Sequence, residues 1–132
     1  MPSVLVVDDE PEVRDSIRQV LTRVGFSVVT ANDGAAGIEA FHNQPPDVVI
    51  VDIIMPHGNG VEVIKKIRAS YPGARILAIT GGGNFGPSGY KPWAVVTEAY
   101  LASATESGAD AVMRKPFYRA DLIAAVRGLV KN

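Results

Sequence analysis

The chain has 132 residues, 47% of them hydrophobic, with 13 Lys and Arg against 14 Asp and Glu for a net charge of -1, and no cysteine. That is material for one core and a single domain over residues 1–132; it lacks the clustered basic charge that recruits nucleic acid or a membrane surface, and it excludes a disulfide framework or a thiolate metal site. Met1 to Val7 has neither the basic start nor the long apolar stretch of an export signal, and no run approaches the ~18 apolar residues of a spanning helix, so the expected setting is the cytoplasm.

Val4 to Val7 is a continuous β-branched and Leu run without polar alternation, the pattern of a strand covered by helices on both faces. Pro11 suits a first helical turn, and Val13, Ile17, Val20, Leu21 and Val24 recur at helical spacing until Gly25. Ser27 to Thr30 is a short strand; Asp33 caps a second helix carrying Ile38 and Phe41, closed by Pro45 and Pro46. Val48 to Val51 is the third strand. Met55 to Gly60 is rich in turn formers and reads as a loop, after which Val61, Ile64, Ile67 and Tyr71 mark a third helix ending before Pro72 and Gly73. A fourth strand covers Arg75 to Ile79, a fourth helix Trp93 to Ser107 and a fifth strand Ala111 to Arg114; a last helix shows Leu122, Val126, Leu129 and Val130 on one face. The pattern predicts five parallel strands and five helices.

Residues 81–92 break this rhythm. They hold Gly81, Gly82, Gly83, Gly86 and Gly89 with Pro87 and Pro92, and form a loop longer than most connections of its kind. Gly81, Gly83 and Gly86 match the spacing of a dinucleotide-binding fingerprint, but Pro87 and Pro92 prevent a helix from opening there, and that fingerprint belongs after the first strand of its unit.

Four of the apolar runs end in residues suited to a phosphoryl group and a divalent cation: Asp8 and Asp9, Asp52, Thr80, and Lys115 with Pro116. In a parallel α/β sheet the carboxyl ends of the strands form one rim, where ligands bind, so these residues should meet. Two carboxylates ~4 Å apart repel by about 4 kcal/mol at an effective dielectric of ~20, and a cation is the simple remedy. Hard oxygen ligands without Cys or His favour magnesium. Thr80 would donate a hydroxyl and Lys115 a positive charge to phosphoryl oxygens, leaving Asp52 as a nucleophile that can form an aspartyl phosphate. Taken singly, Asp8 or Asp9 could be a helix cap, Thr80 a turn residue and Lys115 a solvated charge. Their joint placement argues otherwise. His42 and His57 are too isolated to form a metal pair.

With VLVVDDE at 4 to 10, DVVIVDIIMPHGNG at 47 to 60, Thr80 and GADAVMRKPF at 108 to 117, the chain resembles a receiver domain of bacterial two-component response regulators over essentially its whole length. The resemblance implies a flavodoxin-like, doubly wound, five-stranded parallel sheet flanked by five helices, and phosphorylation by a sensor histidine kinase or a histidine phosphotransfer protein with Mg2+. It implies that Asp52 is the phosphoacceptor, Asp9 a direct metal ligand, Asp8 a mostly water-mediated one, that Ile54 offers its backbone carbonyl, and that Thr80 and Lys115 hold the phosphoryl group. It also implies a docking face for a downstream protein or a second copy, made by helix four, strand five and helix five, including here Trp93, Tyr100, Arg114, Tyr118 and Arg119. Because the chain ends directly after its last helix, signalling by binding alone is expected.

Three departures from the family pattern carry expectations. Val112 stands where a Tyr or Phe usually acts as a switch, so a conformational readout should run through the loop after Thr80, helix four or the sheet edge. The insert at 81–92 would be a surface loop, or a lid or partner contact using Phe85, Tyr90 and Trp93. Ile54 and Gly82 occupy positions that tune self-hydrolysis in the family; neither orients a water, so a long-lived phosphoryl state is expected. Of the alternatives, a magnesium-dependent aspartyl phosphohydrolase lacks the second Asp that should follow Asp52 by two positions. A nucleotide binder would clash with Asp8, Asp9 and Glu10. A receiver-like interaction module that is never phosphorylated would have little use for the retained acceptor and ligand residues.

Overall fold

A computed structural model of the chain describes residues 2–55, 58–80, 102–114 and 117–130. In chain order its strands are β1 (Ser3–Val7), β2 (Ser27–Ala31), β3 (Val48–Asp52), β4 (Ile54–Met55), β5 (Gly58–Asn59), β6 (Ile76–Thr80) and β7 (Ala111–Arg114). The helices are α1 (Pro11–Arg23), α2 (Gly34–Asn43), α3 (Gly60–Ser70), α4, described over 102–107, and α5 (Arg119–Leu129). Five strands form one all-parallel sheet in the order β2-β1-β3-β6-β7, the flavodoxin-like arrangement.

The apolar runs explain this layering. Within a strand, successive side chains point to opposite faces, so a run without polar alternation needs cover on both sides. Leu5, Val7, Val49, Val51, Ile76 and Ala78 pack on one face with Phe41 of α2, Val61, Ile64 and Ile67 of α3, and Ala104 of α4. Val4, Val6, Val48, Ile50, Leu77 and Ile79 pack on the other with Ile17 and Leu21 of α1 and Leu122 and Val126 of α5. Each fully buried Val, Leu or Ile contributes roughly 1.5–3 kcal/mol. Gly37 lets α2 lie against β1, since a Cβ there would come within 2.6 Å of the Val7 side chain.

Local signals place the helix ends. Asp33 accepts a hydrogen bond from Ala36 N at 2.8 Å and caps α2. Pro11 opens α1, and Gly25 closes it at a φ of 100° that favours glycine. Several boundaries differ from those expected. The predicted loop from Met55 contains a short antiparallel pair, Ile54 with Asn59 and Met55 with Gly58, too short for periodicity to register. Gly60 is the first residue of α3. The β2 strand extends to Ala31, while β6 begins at Ile76 and includes Thr80. Val130 follows α5 as its C-cap. The expected insert at 81–92, His57 and the first part of the expected fourth helix, with Trp93 and Tyr100, lie outside the described residues. No helix among the described residues is long and apolar enough to cross a membrane.

Candidate functional site

The sheet order reverses between β1 and β3, and the crevice at the carboxyl ends of two such strands is where ligands enter this fold. Three polar residues are buried there. Asp8 follows β1 and is 0% exposed; Asp52 ends β3 at 2%; Thr80 ends β6 at 0%. Strand register brings them to one level. Val7 pairs with Val51, so the next residues along are Asp8 and Asp52; Asp52 pairs with Ile79, so Thr80 lies one step beyond.

The turn after β1 is tightly held. Asp8 N donates to Ala31 O at 3.1 Å, Glu10 N donates to Asp8 Oδ1 at 2.9 Å, and Arg14 Nη1 donates to the Asp8 carbonyl at 2.8 Å. This fold-back brings Glu10 into the crevice. Carboxylate oxygens of Asp8, Glu10 and Asp52 lie within 4.8 Å of one another. Glu10 was not among the metal residues expected from the sequence. Of those, Asp8 and Asp52 are brought together; Asp9 is half-buried at the same strand end, outside that group of three. The backbone of Ile54 is described as the first residue of β4, directly past the crevice, whereas Lys115 lies outside the described residues. Arg114, which precedes Lys115, pairs in register with Thr80.

Gly60 fixes the far wall. A Cβ on it would come within 2.2 Å of the Asp52 carbonyl oxygen and 2.5 Å of Ile53 Cα, and its N–H donates to Ile53 O at 3.0 Å. Its φ is not positive, so the site demands glycine for space rather than for conformation.

The donor set suits a hard divalent cation. At an effective dielectric of ~20, each pair of full charges at that spacing costs about 3 kcal/mol, which a cation converts into attraction. Only oxygen ligands are present in the group, the preference of magnesium and calcium rather than of softer metals. Thr80 Oγ1 is buried and has no hydrogen-bond partner among the described residues. A buried hydroxyl left so costs about 1–3 kcal/mol, and an anionic oxygen arriving in the crevice would recover it.

Val112 is 39% exposed on the edge strand β7, so no inward-facing aromatic occupies that position. His42, the other half of the histidine pair that the sequence argued against, is exposed and its Nδ1 lies 3.1 Å from the Tyr71 hydroxyl.

The family model for the response regulator receiver domain matches residues 4–86. "Probable transcriptional regulatory protein TcrX" of Mycobacterium tuberculosis is 33% identical over 130 residues, covering 98% of this chain and 50% of that protein. Among solved structures, the response regulator TrrA of Thermotoga maritima, in complex with Mg(2+)-BeF, is 29% identical with a TM-score of 0.77, covering 98% of this chain and 100% of that one. A CheY-like receiver domain protein of Methanospirillum hungatei superposes with a TM-score of 0.82 at 24% identity, covering 97% of this chain and 92% of that one. The chain spans about half the length of the curated relatives it matches.

Proposed function

Since this chain belongs to the receiver domain family of two-component response regulators, we propose that it is a phosphorylation-dependent switch in which Asp52 accepts a phosphoryl group from a sensor histidine kinase or a histidine phosphotransfer protein. The observation that carries this reading is the burial of Asp8, Asp52 and Thr80 at the switch point of the sheet, with Asp8 and Asp52 carboxylates in one group.

The chemistry follows from these positions. A carboxylate oxygen of Asp52 attacks the phosphorus of a phosphohistidine; the new O–P bond forms as the N–P bond breaks, and the imidazole leaves with the bonding pair and takes up a proton. A magnesium ion, when bound, neutralises charge on the phosphoryl oxygens. Asp8, Asp9, Asp52 and the backbone carbonyl of Ile54 would hold it. Thr80 Oγ1, otherwise without a partner among the described residues, would donate to a phosphoryl oxygen, and Lys115 would supply a balancing cation. The Mg(2+)-BeF bound by TrrA supports the metal assignment by analogy. Ile54 and Gly82 offer no group to orient an attacking water, so the phosphoryl group is held rather than turned over, and the protein is a switch that assists its own phosphorylation, not a hydrolase.

The output reading rests on the β7 edge. Val112 of β7 and Tyr118 at the N-cap of α5 are exposed, Tyr118 by 81%, as are Arg114 at the end of β7 and Arg119 at the start of α5. This face would dock a downstream protein or a second copy of the chain. Residues 1–132 would form one receiver unit acting in the cytoplasm, with the 81–92 insert directly after Thr80 in the sequence.

The test compares wild type with Asp52→Asn after incubation with Mg2+ and a small phosphodonor, by intact mass. A gain of one phosphoryl group in wild type and none in the variant is expected. No gain in wild type would leave an interaction module, and steady phosphate release a hydrolase; either overturns the reading.

A further inference from the structure

Arg14 and Arg18 stand one turn apart on α1 and use their guanidinium groups differently. Arg18 is exposed and pairs with the Asp15 carboxylate on the same helix. Arg14 is half-buried and reaches back past the start of the helix, where its Nη1 donates to the Asp8 carbonyl oxygen at 2.8 Å. Helix energetics alone do not favour this arrangement. Arg14 is the fourth residue of α1, where the macrodipole disfavours a cation, and the like charge of Arg18 four positions on adds repulsion.

What the bond holds is the turn between β1 and α1. The carbonyl it grips belongs to the peptide joining Asp8 to Asp9, and because a peptide is planar, fixing that oxygen restricts the rotation of the whole unit between the two aspartates. Asp8 is tied through its N–H to Ala31 O of β2 at 3.1 Å, through its carboxylate to Glu10 N at 2.9 Å and through its carbonyl to Arg14. Of these three ties, the one to Arg14 has the charged donor, and charge-assisted hydrogen bonds are the stronger kind.

We propose that Arg14 is a positioning residue for phosphoryl transfer: by holding the Asp8–Asp9 peptide against α1, it sets where the Asp8 carboxylate stands relative to that of Asp52, within 4.8 Å of it. The inference rests on the receiver reading above and deepens it. Arg14 acts through the backbone of Asp8, so its removal should be felt as a loosened turn as well as a slower reaction, since reacting groups need placement to about 0.5 Å.

The test uses the full chain, with Arg14→Ala and Arg14→Lys beside wild type. A small phosphodonor at saturating Mg2+ removes any contribution from a protein partner docking on α1. Arg14→Ala should phosphorylate about tenfold more slowly than wild type. Arg14→Lys keeps one charged donor and should recover part of the loss. Arg14 also lines an open cleft of about 430 Å³ between α1 and Thr30 of β2, so guanidinium ion at tens of millimolar should speed Arg14→Ala and leave wild type unchanged. The second readout is amide hydrogen exchange without Mg2+ or phosphodonor. In Arg14→Ala the Asp8 and Glu10 N–H groups should exchange about fivefold faster, with the amides inside β3 unchanged. A rate within twofold of wild type, unchanged exchange at Asp8 and Glu10, or a loss that neither Lys nor guanidinium repairs would overturn the role of Arg14 and leave the receiver reading standing. Failure of wild type to take up a phosphoryl group would overturn both.

Discussion

Replacing Gly60 by Ala sets two effects of opposite sign against each other. Gly60 is the first residue of α3 and has an ordinary negative-side backbone, so helix propensity alone predicts that Ala stabilises, by up to about 1 kcal/mol and less at a helix start. Packing predicts the reverse. The added Cβ would sit 2.2 Å from the Asp52 carbonyl oxygen, short by 1.2 Å of the 3.4 Å at which ordinary contact begins, and the atoms it meets are backbone. Neither β3 nor α3 can yield by a side-chain rotation. Overpacking of this kind costs roughly 1–3 kcal/mol, so the net change should be destabilising, and a thermal midpoint lower by about 3–10 °C is expected. The retreat also displaces Asp52 relative to Asp8 and Thr80. Reactive groups need placement to about 0.5 Å, and a shift of about 1 Å costs on the order of 100-fold, so the phosphorylation rate by a small phosphodonor at saturating Mg2+ should fall by about 10–100-fold. A variant with an unchanged or higher midpoint and a rate within twofold of wild type would refute the close approach of α3 to Asp52.

Three further outcomes are expected. Asp8→Asn removes one carboxylate of the acidic group, so the rise in thermal midpoint on adding saturating Mg2+ should be smaller than in wild type. An equal rise would contradict a metal-binding role for Asp8. Arg68→Ala should cost about 1–3 kcal/mol, read by urea unfolding, since the guanidinium serves the carbonyls of Pro72, Ala74 and Gly108 and the Asp110 carboxylate together; a loss below about 0.5 kcal/mol would show that water replaces it. Asp15 carries the opposite expectation: hydrogen bonding by Arg18 holds its carboxyl below the usual carboxylate range, which is a stabilising contribution present above that range and lost as pH falls through the lowered value. The pair is solvent-exposed, so Asp15→Asn should leave the midpoint at pH 7 within about 2 °C, and a larger drop would show that α1 depends on it.

What the sequence made legible was written locally or periodically. The runs at Val4 to Val7 and Val48 to Val51 identify doubly covered strands because no residue in them tolerates water, and Asp33 announces the start of α2 because capping chemistry is local. Asp8, Asp52 and Thr80 could be placed on one rim because strand ends in a parallel sheet converge whatever the details of packing. Glu10 escaped because its arrival depends on a turn folded back by a hydrogen bond to Asp8 Oδ1, which no periodicity encodes; the readable signal was an N-cap position filled by a poor capping residue before Pro11. The hairpin of β4 and β5 escaped for want of length, and the space requirement of Gly60 because it is set by a contact between elements.

The two ends of the sheet divide the energetic work. At the carboxyl ends, Asp8, Asp52 and Thr80 are polar side chains taken out of water, and the Thr80 hydroxyl has no hydrogen bond among the described residues. Such residues would be removed by any selection for stability alone, and their cost must be offset where it does not interfere with chemistry. At the amino ends the offset is visible. Arg68, at the end of α3, ties together the Pro72 to Ala74 turn, Gly108 and Asp110, and Asp110 Oδ2 also accepts from Ile76 N at 2.8 Å at the start of β6. Gly108 makes room for the joint: its φ of 120° suits glycine, and a Cβ there would meet Arg68 Nε at 3.0 Å. The same joint therefore holds the starts of β6 and β7 in register, so Thr80 and Arg114 arrive side by side at the far end.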